Sequence, residues 1–179
     1  MIRTNRLTLV ALLVLAALVA GCRGKESAEP EAFSFVVYPG ARYLGHMTEK
    51  TKEAHRTIIN PGQEPPPTAI YDTDASVQQV AEYYAKEYGY GTIVDSTNTL
   101  TTARGNAFYR NGDLATDAQA VAPMLERMGL PTTIQGATGP YRGAEIAPKP
   151  NRPRVTIQRP YIDVVNGTVV DRTLILMTR

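Results

Sequence analysis

Asp74-Ala75-Ser76-Val77-Gln78-Gln79-Val80-Ala81-Glu82-Tyr83-Tyr84-Ala85-Lys86-Glu87-Tyr88-Gly89 is the stretch whose reading decides the fold. Val77, Val80, Ala81, Tyr84 and Tyr88 fall at helical spacing and form one continuous apolar face, while Gln78, Glu82, Lys86 and Glu87 occupy the other side. Asp74 is placed to cap the start, its carboxylate accepting from the open amides of the first turn. Gly89 stands where a helix commonly ends, because glycine adopts the left-handed conformation of that position without a Cβ penalty. Thr68 to Tyr71 just before it reads as a strand. The pair predicts a helix that lies across a sheet and buries its Val/Tyr face.

The strongest strand signal comes last. Arg154–Tyr161 and Thr168–Thr178 flank Asn166-Gly167, the preferred pair for a two-residue hairpin turn. That turn predicts Ile157 opposite Leu176 and Arg159 opposite Leu174, with Pro160 forcing a bulge or an outer position. Leu174-Ile175-Leu176-Met177 is apolar on both faces, as a central strand covered on both sides requires.

Elsewhere the signals are weaker. Phe33 to Tyr38 reads as a strand stopped by Pro39-Gly40, and Tyr43–Met47 and Arg56–Ile59 as strands around a charged turn. Asn60 to Pro67 is loop, since proline cannot donate to a ladder; its three consecutive prolines fit a stiff hairpin connection better than a polyproline ligand. Ile93-Val94, Thr99–Ala103 and Ala107–Tyr109 are short strand candidates closed by Asn111-Gly112. A second, short helix spans about 117–128, with Val121, Met124, Leu125 and Met128 inward and Thr116 and Gln119 at capping-box spacing. Pro123 either kinks that helix or opens a shorter one. Residues 136–151, rich in Gly and Pro, read as a long loop. The sum is an α+β domain, a mostly antiparallel sheet packed against one main amphipathic helix with a second short helix.

Few residues offer chemistry. His46 and His55, on strands flanking a turn, meet in space only if those strands pair, and their spacing matches no zinc pattern. Asp72-Thr73-Asp74 has the spacing that opens a calcium loop, but Val77 and Tyr83 stand where the loop needs glycine and glutamate. Ser27, Ser34, Ser76 and Ser96 have no histidine close in sequence, and no Gly-x-Ser-x-Gly is present. No catalytic residue, metal site or cofactor is therefore expected. Among the ten tyrosines, Tyr83, Tyr90, Tyr141 and Tyr161 are candidates for a glycan or partner surface, or for packing at the core's edge.

The first 22 residues stand apart. Arg3 and Arg6 form a basic start, Leu7 to Ala20 are nearly all Leu, Val and Ala, and the run ends Leu18-Val19-Ala20-Gly21-Cys22. The run is short for a membrane-spanning helix, which needs roughly 20 apolar residues. This order resembles a bacterial lipoprotein signal with its lipobox. The resemblance implies cleavage between Gly21 and Cys22, and acyl chains on Cys22 as the lipid attachment. Residues 1–21 are then signal peptide, 22–32 a flexible tether and 33–179 the α+β domain. Cys22 is the chain's one cysteine, so lipidation would leave no thiol for a disulfide. Arg23, in place of the Asp that favours inner-membrane retention in Gram-negative lipoproteins, implies the outer membrane facing the periplasm.

With Arg3 and Arg6 removed, basic and acidic residues balance, so no nucleic-acid partner is expected. The charge is uneven, however: residues 127–179 carry eight basic and three acidic side chains. Tyr38-Pro39-Gly40-Ala41, the Val77, Val80, Tyr84 pattern and Thr173-Leu174-Ile175 are also similar to small bacterial envelope lipoprotein domains, a likeness that implies fold rather than activity. The expectation is a membrane-anchored envelope lipoprotein with a non-enzymatic binding or assembly role. Its partners would be membrane lipid through Cys22 and an envelope protein or cell-wall polymer. The alternative is a tethered hydrolase of cell-wall or glycan bonds, which needs two converging carboxylates.

Overall fold

The computed structural model describes residues 36–91, 93–95 and 106–179. Cys22, the tether, Phe33–Phe35 and the strand expected at Thr99–Ala103 lie outside them. Among the described residues no helix is long and apolar enough to cross a membrane. In chain order the elements are β1 (Arg42–Tyr43), α1 (Gly45–Ala54), β2 (Thr68–Thr73), α2 (Val77–Glu87), β3 (Val94–Asp95), β4 (Ala107–Asp113) and α3 (Leu114–Arg127). They continue with β5 (Pro140–Ile146), β6 (Arg154–Arg159), β7 (Tyr161–Asp163), β8 (Thr168–Val170) and β9 (Thr173–Thr178).

Seven strands form one sheet in the order β1-β2-β9-β6-β5-β4-β3, antiparallel except for the β3–β4 pair. The fold is the expected α+β arrangement. Helix α2 covers one face, burying Val77, Val80, Ala81, Tyr84 and Ala85 against Tyr71, Ile146, Val155, Ile157, Ile175 and Met177. Each fully buried aliphatic side chain of this set contributes about 1.5–3 kcal/mol. Helix α1 and the β7–β8 hairpin cover the opposite face, where Met47 and Tyr161 cluster with Ile70 of β2, and Leu174 and Leu176 pack against them. Alternation along β9 therefore sends Ile175 and Met177 to one layer and Leu174 and Leu176 to the other. The four-residue apolar run is central and covered on both sides, as the sequence implied.

Helix α2 begins two residues later than Asp74 predicts. Ser76 is the N-cap: the Gln79 amide donates to its hydroxyl (3.2 Å), and its own amide donates to Gln79 Oε1 (2.9 Å). Asp74 has left the cap to pair with Arg172. The far end closes as a Schellman turn, with Gly89 at φ +64°, Gly89 N–H donating to Lys86 O and Tyr90 N–H to Ala85 O. That turn swings Tyr90 back beside the helix.

Four other expectations are corrected. Residues 45–54 are helix, not strand and turn, and His55–Ile59 continue it as a π turn. Leu44 N–H still donates to Ile70 O, and the Thr48 hydroxyl then accepts from Ile70 N–H, so α1 satisfies the backbone that a longer β1 would have paired. Helix α3 starts at Leu114 under an Asp113 cap whose Oδ1 accepts from Thr116 N–H (2.9 Å), and Pro123 lies inside it. It buries Leu125 and half-buries Val121, Met124 and Met128, as their spacing suggested. Strand β4 runs on through Asn111-Gly112 to Asp113, and the stretch read as a loop contains β5, which pairs with β4 and β6.

The last correction is one of register. Ile157 faces Ile175, and Gln158 faces Leu174. Pro160 ends β6, and the chain leaves the sheet to make β7 and β8, whose loop is Val164–Gly167 rather than a two-residue turn. A one-residue shift reverses which face every side chain meets, so the large sheet's own packing sets the register.

Candidate functional site

Among the described residues, helix α2 sits over β5 and β6 and leaves the same face of the sheet uncovered toward β4 and β3. An open cleft of about 610 Å³ follows its flank there, within the size range of binding clefts. Gln78, Glu82 and Lys86 form the helical wall, spaced so that they line one side over about 12 Å. Tyr109 of β4 and Arg142 of β5 form the floor, and Tyr90, Gly91 and Ile93 close the end past the helix.

The geometry fixes the aromatic groups. The Arg142 guanidinium lies 4.5 Å from the Tyr109 ring centroid, and the Lys149 ammonium 4.2 Å from that of Tyr90. The Tyr90 hydroxyl donates to Ala147 O (3.1 Å), which pins the ring to the β5–β6 connection. Gln78 Nε2 donates to Glu82 Oε1 (2.8 Å) along the wall. The cleft thus offers two immobilised aromatic rings beside amide, carboxylate, ammonium and guanidinium ends. Rings accept the apolar faces of a ligand while the polar ends fix its orientation.

The other tyrosines do not converge on it. Tyr83 packs edge-on against Tyr38 and Tyr84, both with centroids at 5.1 Å. Tyr141 and Tyr161 are buried on the opposite side of the sheet. Tyr90 is the one member of the predicted set in the cleft; Tyr109 of β4, Arg142 of β5, and Gln78 and Glu82 of α2 join it.

A second polar cluster surrounds Asp72. Its carboxylate is fully buried and accepts from Arg42 Nε and Nη2 (3.1 and 2.8 Å), from Arg172 Nε (3.0 Å) and from the Tyr161 hydroxyl (3.1 Å). Burial and then the Asp72 charge push the Tyr161 phenol far above its ordinary value. Arg172 also pairs with Asp74, and Arg159 with Asp171 (2.8 Å). With every Asp72 oxygen engaged by a cation or phenol, this cluster ties β1, β2, β7 and the bend before β9 together rather than opening to a ligand.

The metal and nucleophile readings resolve simply. His46 and His55 lie on one continuous helical segment, nine residues apart, which sets them on opposite sides and about 13 Å along the axis. Among the described residues no three His, Cys, Asp or Glu side chains group to hold a metal ion. Ser76 is consumed as a cap; Ser27, Ser34 and Ser96 lie outside the described residues. Glu82 is the one carboxylate among the described residues that line the cleft. A smaller groove of about 80 Å³ lies between α1 and α3, lined by Ala54, Ile59, Met124 and Met128.

Comparison with protein-family models, with curated proteins and with solved structures finds no match.

Proposed function

We propose that this chain is an envelope lipoprotein, anchored by acyl chains on Cys22, whose domain binds an envelope polymer through the cleft between α2 and β4. The observation that carries the reading is the pairing of two fixed tyrosine rings, Tyr90 and Tyr109, with hydrogen-bonding ends along an open groove. A linear polymer of sugars presents that complement: flat apolar faces edged by hydroxyls. The open shape suits a chain that passes through rather than a small molecule that must be enclosed.

The anchor supports the same reading from the other end of the chain. Each buried CH2 contributes about 0.8 kcal/mol, so two or three acyl chains would make a lasting tether. Arg23 after the acylated cysteine favours the outer membrane facing the periplasm, within reach of cell-wall polymer. A domain held there works by holding on, and the single carboxylate of the described lining, Glu82, gives no acid–base pair for glycoside hydrolysis.

Co-sedimentation tests this directly. Full-length protein in non-ionic detergent is expected to sediment with purified insoluble cell-wall polymer. Tyr109→Ala should bind roughly tenfold more weakly, the effect of ~1.4 kcal/mol. Equal sedimentation of wild type and Tyr109→Ala would remove the cleft from the account.

A further inference from the structure

We infer that the polymer taken by this cleft is anionic, and that its charges are met by Lys86, Lys149 and Arg152 at the C-terminal end of α2. The inference rests on the cleft reading above and adds the chemical class of the ligand.

Cations and tyrosines alternate from the floor of the cleft around the end of the helix. Arg142 stands over Tyr109 and Lys149 over Tyr90, and the Arg152 guanidinium lies 5.3 Å from the Tyr88 centroid. The Tyr88 and Tyr90 rings are themselves 6.1 Å apart, so the last two pairs are contiguous. Lys86 comes from the helical wall beside Tyr90. The strip runs along one side of the domain, and its cations come from the basic C-terminal portion and from α2.

Ion pairing separates these cations from most others. Arg42 and Arg172 pair with Asp72, Arg159 with Asp171, Arg110 and Arg154 with Glu145, Lys50 with Glu53, and Lys52 with Glu49. Among the described residues, Lys86, Lys149 and Arg152 have no carboxylate within ion-pair distance. Glu82, hydrogen-bonded by Gln78, and exposed Glu87 are the acids of the neighbouring helical turns. Lys149 also donates to Tyr88 O, where it caps the negative end of α2. That role needs one donor and no more; it asks for neither Arg152 nor Lys86. A chain bearing a carboxylate or phosphate on each repeating unit, with apolar faces between them, matches the alternation of cation and ring.

Three probes decide the matter with full-length protein in non-ionic detergent. They are polygalacturonate oligomers, the same oligomers fully methyl-esterified, and poly(glycerol phosphate) chains. Polygalacturonate is expected to bind at least tenfold more tightly than its ester at low salt, with the margin shrinking as salt rises. Lys149→Gln/Arg152→Gln retains an amide donor for the helix end and should lose the margin, its preference for acid over ester falling to about one. Tyr109→Ala should lose acid and ester alike. Thermal unfolding checks that each variant folds, and Lys86→Gln, on an exposed turn, substitutes if the double variant does not. Tighter binding of poly(glycerol phosphate) than of polygalacturonate would support the inference and make phosphate the source of charge. Equal binding of acid and ester would overturn it and leave the cleft reading standing. No binding of any probe would overturn both.

Discussion

The ring of Tyr141 lies directly over Gly112: a Cβ placed on Gly112 would stand 2.2 Å from the ring carbon Cζ and 2.3 Å from the hydroxyl oxygen. Tyr141 is buried and Gly112 belongs to β4, its cross-strand partner in β5 being Tyr141 itself. Glycine is here for space, not for an unusual backbone angle. Gly112→Ala should cost about 1–3 kcal/mol, as overpacking a filled site does. Chemical denaturation checks it, and Gly112→Ala/Tyr141→Leu should be less destabilised than the two single changes combined. Additive losses would mean the ring does not hold that position.

Asp72 should be the most sensitive charged residue of the domain. Asp72→Ala leaves the buried Tyr161 hydroxyl without its acceptor and separates Arg42 and Arg172 from their shared partner. A loss of about 3 kcal/mol is expected. Arg42→Ala should cost about 1 kcal/mol or less, because its side chain is 60% exposed and Arg172 still neutralises the carboxylate. A denaturation midpoint for Asp72→Ala at or above that of Arg42→Ala would contradict this arrangement.

Alkaline pH should act through three phenols. Burial holds Tyr84, Tyr88 and Tyr161 well above the ordinary tyrosine value, and the charge of Asp72 adds to Tyr161. The folded state thus keeps these protons more tightly than the unfolded chain, where a phenol titrates near pH 10. Their contribution is complete below about pH 10 and is lost as pH climbs above it. Absorbance of tyrosinate should therefore show fewer than ten tyrosines ionising near pH 10, and the rest should ionise together with the loss of circular dichroism.

Cys22→Ser should release the protein from the membrane fraction on cell fractionation and abolish incorporation of labelled fatty acid. In-cell crosslinking followed by mass spectrometry should then lose the neighbours captured by the anchored form. Retention of both the membrane fraction and the label by the variant would exclude Cys22 as the attachment point.

At the start of α2, Ser76→Ala should cost about 1 kcal/mol by removing a reciprocal cap. Asp74→Ala removes an exposed pair with Arg172 and should cost less. The two thermal shifts distinguish the cap that forms from the one that the sequence suggested.

That pair also illustrates what was legible beforehand. Five apolar residues of α2 repeat at helical spacing, so its existence and inward face were readable; the capping-box spacing of Ser76 and Gln79 marked the cap as well, whereas the pairing that draws Asp74 off was not readable, because Arg172 lies 98 residues away. Strand β9 announced itself as covered on both sides because its apolar residues run without interruption. Helix α1 concealed itself, since GHMTEKTKEA buries only Gly45, Met47, Thr48 and Ala54 and so shows hardly any apolar face. Strand β5 concealed itself differently. Its Gly143 leaves room for the Ile157 carbonyl oxygen, which an added Cβ would approach to 2.7 Å, so a residue that normally marks a loop serves packing instead. The cleft was illegible for a third reason: Gln78, Tyr109 and Arg142 come from three elements, and only the sheet order makes them neighbours.

The position of β9 between β2 and β6 has a kinetic consequence. Ile70 must wait for Leu176, and Asp72 for Leu174, before the middle of the sheet can close. Loop closure over such separations is slow, and pairings of this kind delay folding more than local contacts do. A ribosome adding residues one at a time makes all eight other strands before the strand that joins β2 to β6 exists. Until then β1–β2 and β4–β6 lack the strand that lies between them.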